Sequence, residues 1–182
     1  MNKHEHPDSV LLQSFVDRLN RAHYDLIYTI CGTAKEQAER LQEQQLMQTE
    51  SLYLTHCEKL ISDARHYVGV KKNHLIPYLI TLSEKKAEGH DCRNCTRTGS
   101  CSLGHDTQLM ELTESHKHLK ELITRLQTLA LPVYAENDAP APYKILQYQM
   151  ALLECSLSAL LLEEQSLAPK ITEAQININA RG

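Results

Sequence analysis

Tryptophan is missing from this chain of 182 residues, and it has one Phe, six Gly and six Pro. So few Gly and Pro leave little material for the many turns of an all-β fold, and a helical fold is expected instead. Long apolar runs are missing too. The longest are broken by Glu or Lys, so no segment is expected to cross a bilayer. Positive charge is not in excess: the net charge is −4, which argues against a partner bound through its phosphate backbone, so no nucleic acid is expected. The opening MNKHEHPDSV lacks the apolar stretch of a signal peptide, and a cytoplasmic, reducing location follows as the expectation. No nucleophile–base pair, Gly-rich phosphate loop or carboxylate dyad stands out, which leaves hydrolase and kinase chemistry without support.

What remains is strongly patterned. The length suits one domain over 1–182 that buries roughly 70% of its unfolded surface. Four stretches carry apolar residues at steps of three and four, the spacing of one helix face. Residues 9–46 carry Leu12, Val16, Leu19, His23, Leu26, Ile30, Ala34, Ala38 and Leu41, with Asp8 or Ser9 as start caps. Residues 48–87 carry Cys57, Ile61, Ala64, Val68, Lys72, Leu75, Leu79 and Leu82, with Pro77 expected to kink the helix or begin a new segment. Residues 106–130 carry Leu109, Leu112, His116, Leu119, Ile123 and Leu126, with Asp106 as cap. After a Pro-rich linker at 131–142, residues 143–171 carry Leu146, Met150, Leu153, Leu157, Leu160, Glu164, Leu167 and Ile171. Tails are expected at 1–8 and 172–182. Four amphipathic helices predict an all-α, up-down four-helix bundle with a Leu and Ile core, its eight Tyr hydroxyls reaching polar partners.

The second half echoes the first. At an offset of 93, Val16, Leu19, His23, Leu26 and Ile30 fall on Leu109, Leu112, His116, Leu119 and Ile123. At an offset of 92, KKNHLIPYL (71–79) falls on EEQSLAPKI (163–171). The bundle is therefore read as two repeated helical hairpins.

These residues give the chain its resemblance to the hemerythrin-like family of His-His-Glu cation-binding bundles, over roughly residues 10–171. The resemblance implies inward His on the first and third helices, matched by His23 and His116. It implies a His and, four residues on, a Glu on the second and fourth helices, each followed by the segments seen here as LIPYL and LAPKI. The second helix departs from the pattern, with Val68 and Lys72 at those positions, or Tyr67 and Lys71 in the neighbouring register. On the fourth, the acid is present as Glu164 (or Glu163), and Leu160 or Ala159 takes the place of His. Three readings of this degenerate centre stand. Lys72 replaces the metal charge and pairs with Glu164, flanked by His23 and His116. Alternatively, His23, His116, Glu164 and water hold one metal. In the third, Lys72 reaches solvent and the two His are satisfied core residues.

The sharpest chemical signal is GHDCRNCTRTGSCSLGHD at 89–106, within a loop expected at 88–106 between the second and third helices. Cys92, Cys95, Cys101 and His105 supply four N/S donors in a short span, as tetrahedral zinc requires, with His90 as an alternative fourth ligand. Zinc would also order a loop that is long for a compact bundle. An iron–sulfur cluster on the same thiols, with His105 or Cys57, is a competitor, as are a Cys92–Cys95 redox pair and an unliganded loop. Cys31, Cys57 and Cys155 lie inside helices and are expected to be buried packing residues. His56, His66, His74 and His118 are expected at the surface or its margin.

Three functions follow as expectations. The first is a non-catalytic metal-binding bundle, with zinc on the loop, in regulation or sensing. The second is an iron-dependent oxidoreductase or O2/NO-responsive protein of the hemerythrin-like type. The third is a structural or interaction module with a protein partner or a second copy of the chain, through Gln-rich faces such as QEQQLMQ (42–48).

Overall fold

A computed structural model describes residues 7–44, 51–88, 105–129 and 139–169. All the regular structure in these residues is helical. The first rod comprises α1 (Pro7–Arg18), a π-helical turn (Leu19–Tyr24) and α2 (Asp25–Glu43). It is followed by α3 (Ser51–Ala87), α4 (His105–Thr128) and α5 (Ala141–Gln165). The first rod packs on α3 and α5, and α4 packs on the same two helices. The buried residues form one cluster to which all four rods contribute.

The helix ends follow from local chemistry. Pro140 is extended at φ −63° and ψ 150° and precedes the first turn of α5, where Pro142 sits. Proline is pre-set for a first helical turn and has no N–H to leave orphaned there, so α5 starts within the expected linker. Pro77 lies inside α3 without ending it. It and Asn73, whose carbonyl loses its helical partner, are both exposed, on the side of the helix where water can reach the freed group. At one end of the bundle the rings of Tyr53 and Tyr143 meet at 5.6 Å between centroids and join α3 to α5.

The π turn changes the register of the first rod. Buried Leu19 is followed by buried Tyr24, five residues on rather than four, and then by Ile27, Ile30, Ala34, Ala38 and Leu41. The turn thus inserts one residue into the helical period. Leu26, expected inside, is 46% exposed, and His23 is only half-buried. The regular α4 has no such step, so the offset of 93 between the halves does not survive in three dimensions at His23.

One smaller expectation is also corrected. Cys31 and Cys57 are buried, but Cys155 is exposed. By length and composition alone helix α5 is apolar enough to cross a membrane, a test that the core helix of a bundle also passes.

Because the π turn is an insertion, deleting the exposed Ala22 is expected to turn it into an α-helical turn while both flanks keep their faces. Thermal melting followed by circular dichroism should then stay within a few degrees of wild type. Deleting the exposed Lys35 from regular helix rotates everything after it by about 100° and should unfold the bundle.

Candidate functional site at the bundle centre

Glu164 is fully buried near the end of α5. A lone buried carboxylate would be very costly, so its partners matter most. The hydroxyl of Tyr24 donates to Oε1 at 2.6 Å, and that of Tyr67 donates to Oε2 at 2.6 Å. Nε2 of His116 lies 3.3 Å from Oε2, within ion-pair range but not aligned as a hydrogen bond. The Lys71 ammonium lies 3.9 Å from the same oxygen and donates to Ser115 Oγ at 2.5 Å. Each of the other three rods thus sends at least one side chain to Glu164: Tyr24 from the first, Tyr67 and Lys71 from α3, and His116 from α4.

Burial alone would raise the pKa of Glu164, but His116, Lys71 and the two phenols outweigh it and hold the carboxyl below its usual range. Burial pushes the Lys71 amine down, partly offset by Glu164 and Glu111. Burial and the adjacent carboxylate keep both Tyr24 and Tyr67 protonated well above the ordinary phenol range. The centre is therefore an anion with two neutral donors and a cation beside it. On its outer side, Lys71 and Ser115 line a cleft of about 410 Å³ between α3 and α4, along with His74, Gln108 and Glu111.

The structure brings His116 and Glu164 together and leaves out the other two expected members. His23 is turned away by the π turn, and Tyr24 takes its place. Lys72 does not pair with Glu164; it bonds Asp25 at 2.6 Å near the surface and lies over the Tyr28 ring. Its neighbour Lys71 is the buried lysine. The sequence signal was evenly divided: at about 100° per residue, the two lysines lie about 50° on either side of the mean direction of the α3 stripe. Asp25 and Tyr28 on one side, and Glu164 and Ser115 on the other, settle which lysine faces inward.

These residues do not fit a di-iron centre, which needs about five or six His and carboxylate ligands. Only His116 and Glu164 are present, both oxygens of Glu164 already accept phenol hydrogen bonds, and an ammonium stands where a second cation would be repelled. Among the described residues no cluster of three or more His, Cys, Asp or Glu could hold a metal ion. His90, Cys92, Cys95 and Cys101 lie outside the described residues. His105 is the first residue of α4, and its side chain is not described. His56, His66, His74 and His118 are exposed. The buried thiols of Cys31 and Cys57 are poor nucleophiles, since burial pushes Cys31 up to about 12 and Cys57 up to about 11.

Comparison of the chain with protein-family models, curated proteins and solved structures finds no match.

Removing one member of the central pair leaves the other buried alone. Glu164→Leu is therefore expected to cost about 3–5 kcal/mol, and adding Lys71→Met should recover much of that loss. Tyr24→Phe and Tyr67→Phe should each cost about 1.5–3 kcal/mol, as for a hydrogen bond to a charge. Urea unfolding checks all four. Glu164 titrates lower in the folded chain than its ordinary 4.5, so its contribution holds above that pH and is lost as acid protonates it. Tyr24 and Tyr67 titrate higher than their ordinary 10.0, so theirs holds below that pH and is lost in alkali. Tyrosinate absorbance should show two phenols that ionise only as the helical signal is lost.

Proposed function

We propose that the protein is a non-catalytic, metal-binding helical bundle with a regulatory or sensing role, carrying zinc on Cys92, Cys95, Cys101 and His105. One observation carries the proposal: four N/S donors fall at zinc-ligand spacing between Cys92 and the first residue of α4. His90 is the alternative fourth ligand. Helix α3 ends at Ala87 and α4 begins at His105, so a metal held here would tie together the ends of two neighbouring helices. Metal binding would then bear on the α3–α4 pair, where Lys71, Ser115 and the cleft lie. That is the physical basis of the sensing role.

The centre supports this division of labour. Its donors fit a neutral ion network better than an iron site, and such a network serves as a frame rather than a reaction centre. The hemerythrin-like resemblance belongs to the same proposal. So do the up-down order of two hairpins, with the Cys/His segment as the loop between them, and a reducing cytoplasmic setting in which the thiols stay available.

Elemental analysis of untagged protein purified without chelator should find about one zinc per chain. Cys92→Ser and Cys95→Ser should each abolish that zinc while the helical signal persists. In hydrogen exchange, zinc removal should deprotect the end of α3 and the start of α4 before α2 or α5. Absence of stoichiometric metal would defeat the proposal, and about two irons per chain would favour the hemerythrin-like oxidoreductase.

A further inference from the structure

Helices on the surface of a bundle normally turn charge outward, as α2 and α4 do. On α2, Lys35, Glu36, Glu39 and Arg40 are exposed, and on α4, Glu114, Lys117, Lys120 and Glu121. Helix α5 does not follow the rule. Its inner face packs Leu146, Met150, Leu153, Leu157 and Leu160 into the core. Yet from 145 to 162 every exposed residue is also apolar: Ile145, Tyr148, Ala151, Cys155, Ala159 and Leu162. Ile145 is 43% exposed, Tyr148 62% and Leu162 69%. Only 28% of the apolar window that passes for a membrane span is buried. The face runs about 26 Å along the helix, at 1.5 Å per residue.

We propose that this face is a docking surface for a second copy of the same chain, the two α5 helices lying antiparallel about a two-fold axis between residues 153 and 154. Such an axis sets Ile145 opposite the partner's Leu162, Tyr148 opposite the partner's Ala159, and Leu152 opposite the partner's Cys155. The large ring thus meets a small residue, and isologous contact of this kind is self-complementary. Any stripe at steps of three and four has this mirror property, so the charges are what single out the self-pairing. The same axis places exposed Lys144 against the partner's Glu163, twice per dimer. Glu163 keeps exposed surface while bonded to Arg18. Opposed helix dipoles add a favourable term.

A lipid surface fits less well. Peripheral helices carry Lys and Arg along their polar flanks, but between 145 and 165 α5 has none, and the chain is net negative. Crossing a bilayer would pull α5 from the core and strand Glu164 without its donors. One helix pair is a small interface, so affinity in the micromolar range is expected. The metal on the Cys/His segment plays no part in this association.

Sedimentation equilibrium of the full chain, under reducing conditions and at up to about 100 μM, is expected to show a monomer–dimer equilibrium. Tyr148→Glu and Leu162→Glu should each weaken the dimer at least about 30-fold, as for loss of a buried hot spot, with unchanged thermal melting. Lys144→Glu and Glu163→Lys, each poor at pairing with itself, should form a mixed dimer when combined. A wild-type monomer throughout that range overturns the proposal, whether or not it floats with anionic vesicles. So does a dimer indifferent to both Tyr148→Glu and Leu162→Glu.

Discussion

A carboxylate cut off from water is tolerable only when its surroundings replace the water, and Glu164 meets that condition with groups from every other rod. Two phenols supply short hydrogen bonds to opposite oxygens, an ammonium balances the charge, and an imidazole closes the ring of contacts. The geometry constrains the fold more tightly than Leu–Leu packing does. Apolar contacts tolerate sliding at modest cost, whereas a phenol displaced by an ångström leaves a buried charge short of a donor. Rotation of the first rod, α3 or α4 about its axis therefore carries an electrostatic cost at a single point.

The π turn follows from that constraint. Residues 7–18 and 25–43 bury apolar faces that, on an ideal α-helical wheel, point about 60° apart. One extra residue in this underwound turn lets both faces meet the same core and brings Tyr24 to Glu164. π turns often mark functional positions, and here the turn delivers a hydrogen-bond donor to the centre. Lys71 has a similar double role: its stem crosses the core, its ammonium neutralises Glu164, and its far side borders the cleft shared with Ser115. The centre is therefore close enough to the α3–α4 groove for a change in that groove to reach it.

Much of the architecture was legible in the amino-acid pattern. The four helical stretches, the Leu-rich inner faces and the inward direction of His116 and Glu164 all follow from steps of three and four. The choice between Lys71 and Lys72 was not legible, because the two lie equally far from the centre of their stripe. Nor was the replacement of His23 by Tyr24, because a strict period assumes the unbroken helix that the π turn interrupts. The outward face of Cys155 was missed for a different reason: the residue lies off the stripe of Leu146, Met150, Leu153, Leu157 and Leu160, but an apolar side chain in an apolar helix reads as packing.

Local chemistry, then, determined by itself which stretches are helical, which residues can line a core, and that four thiol and imidazole donors occur together between Cys92 and His105. These depend on spacing and side-chain type along a single segment. Tertiary structure decided which lysine is buried, which residue completes the Glu164 cage, and that the outer apolar side of α5 stays uncovered within the chain. Those outcomes depend on groups 40 to 140 residues apart, such as Lys71 with Ser115 and Tyr24 with Glu164. Only packing sets the distances between such groups.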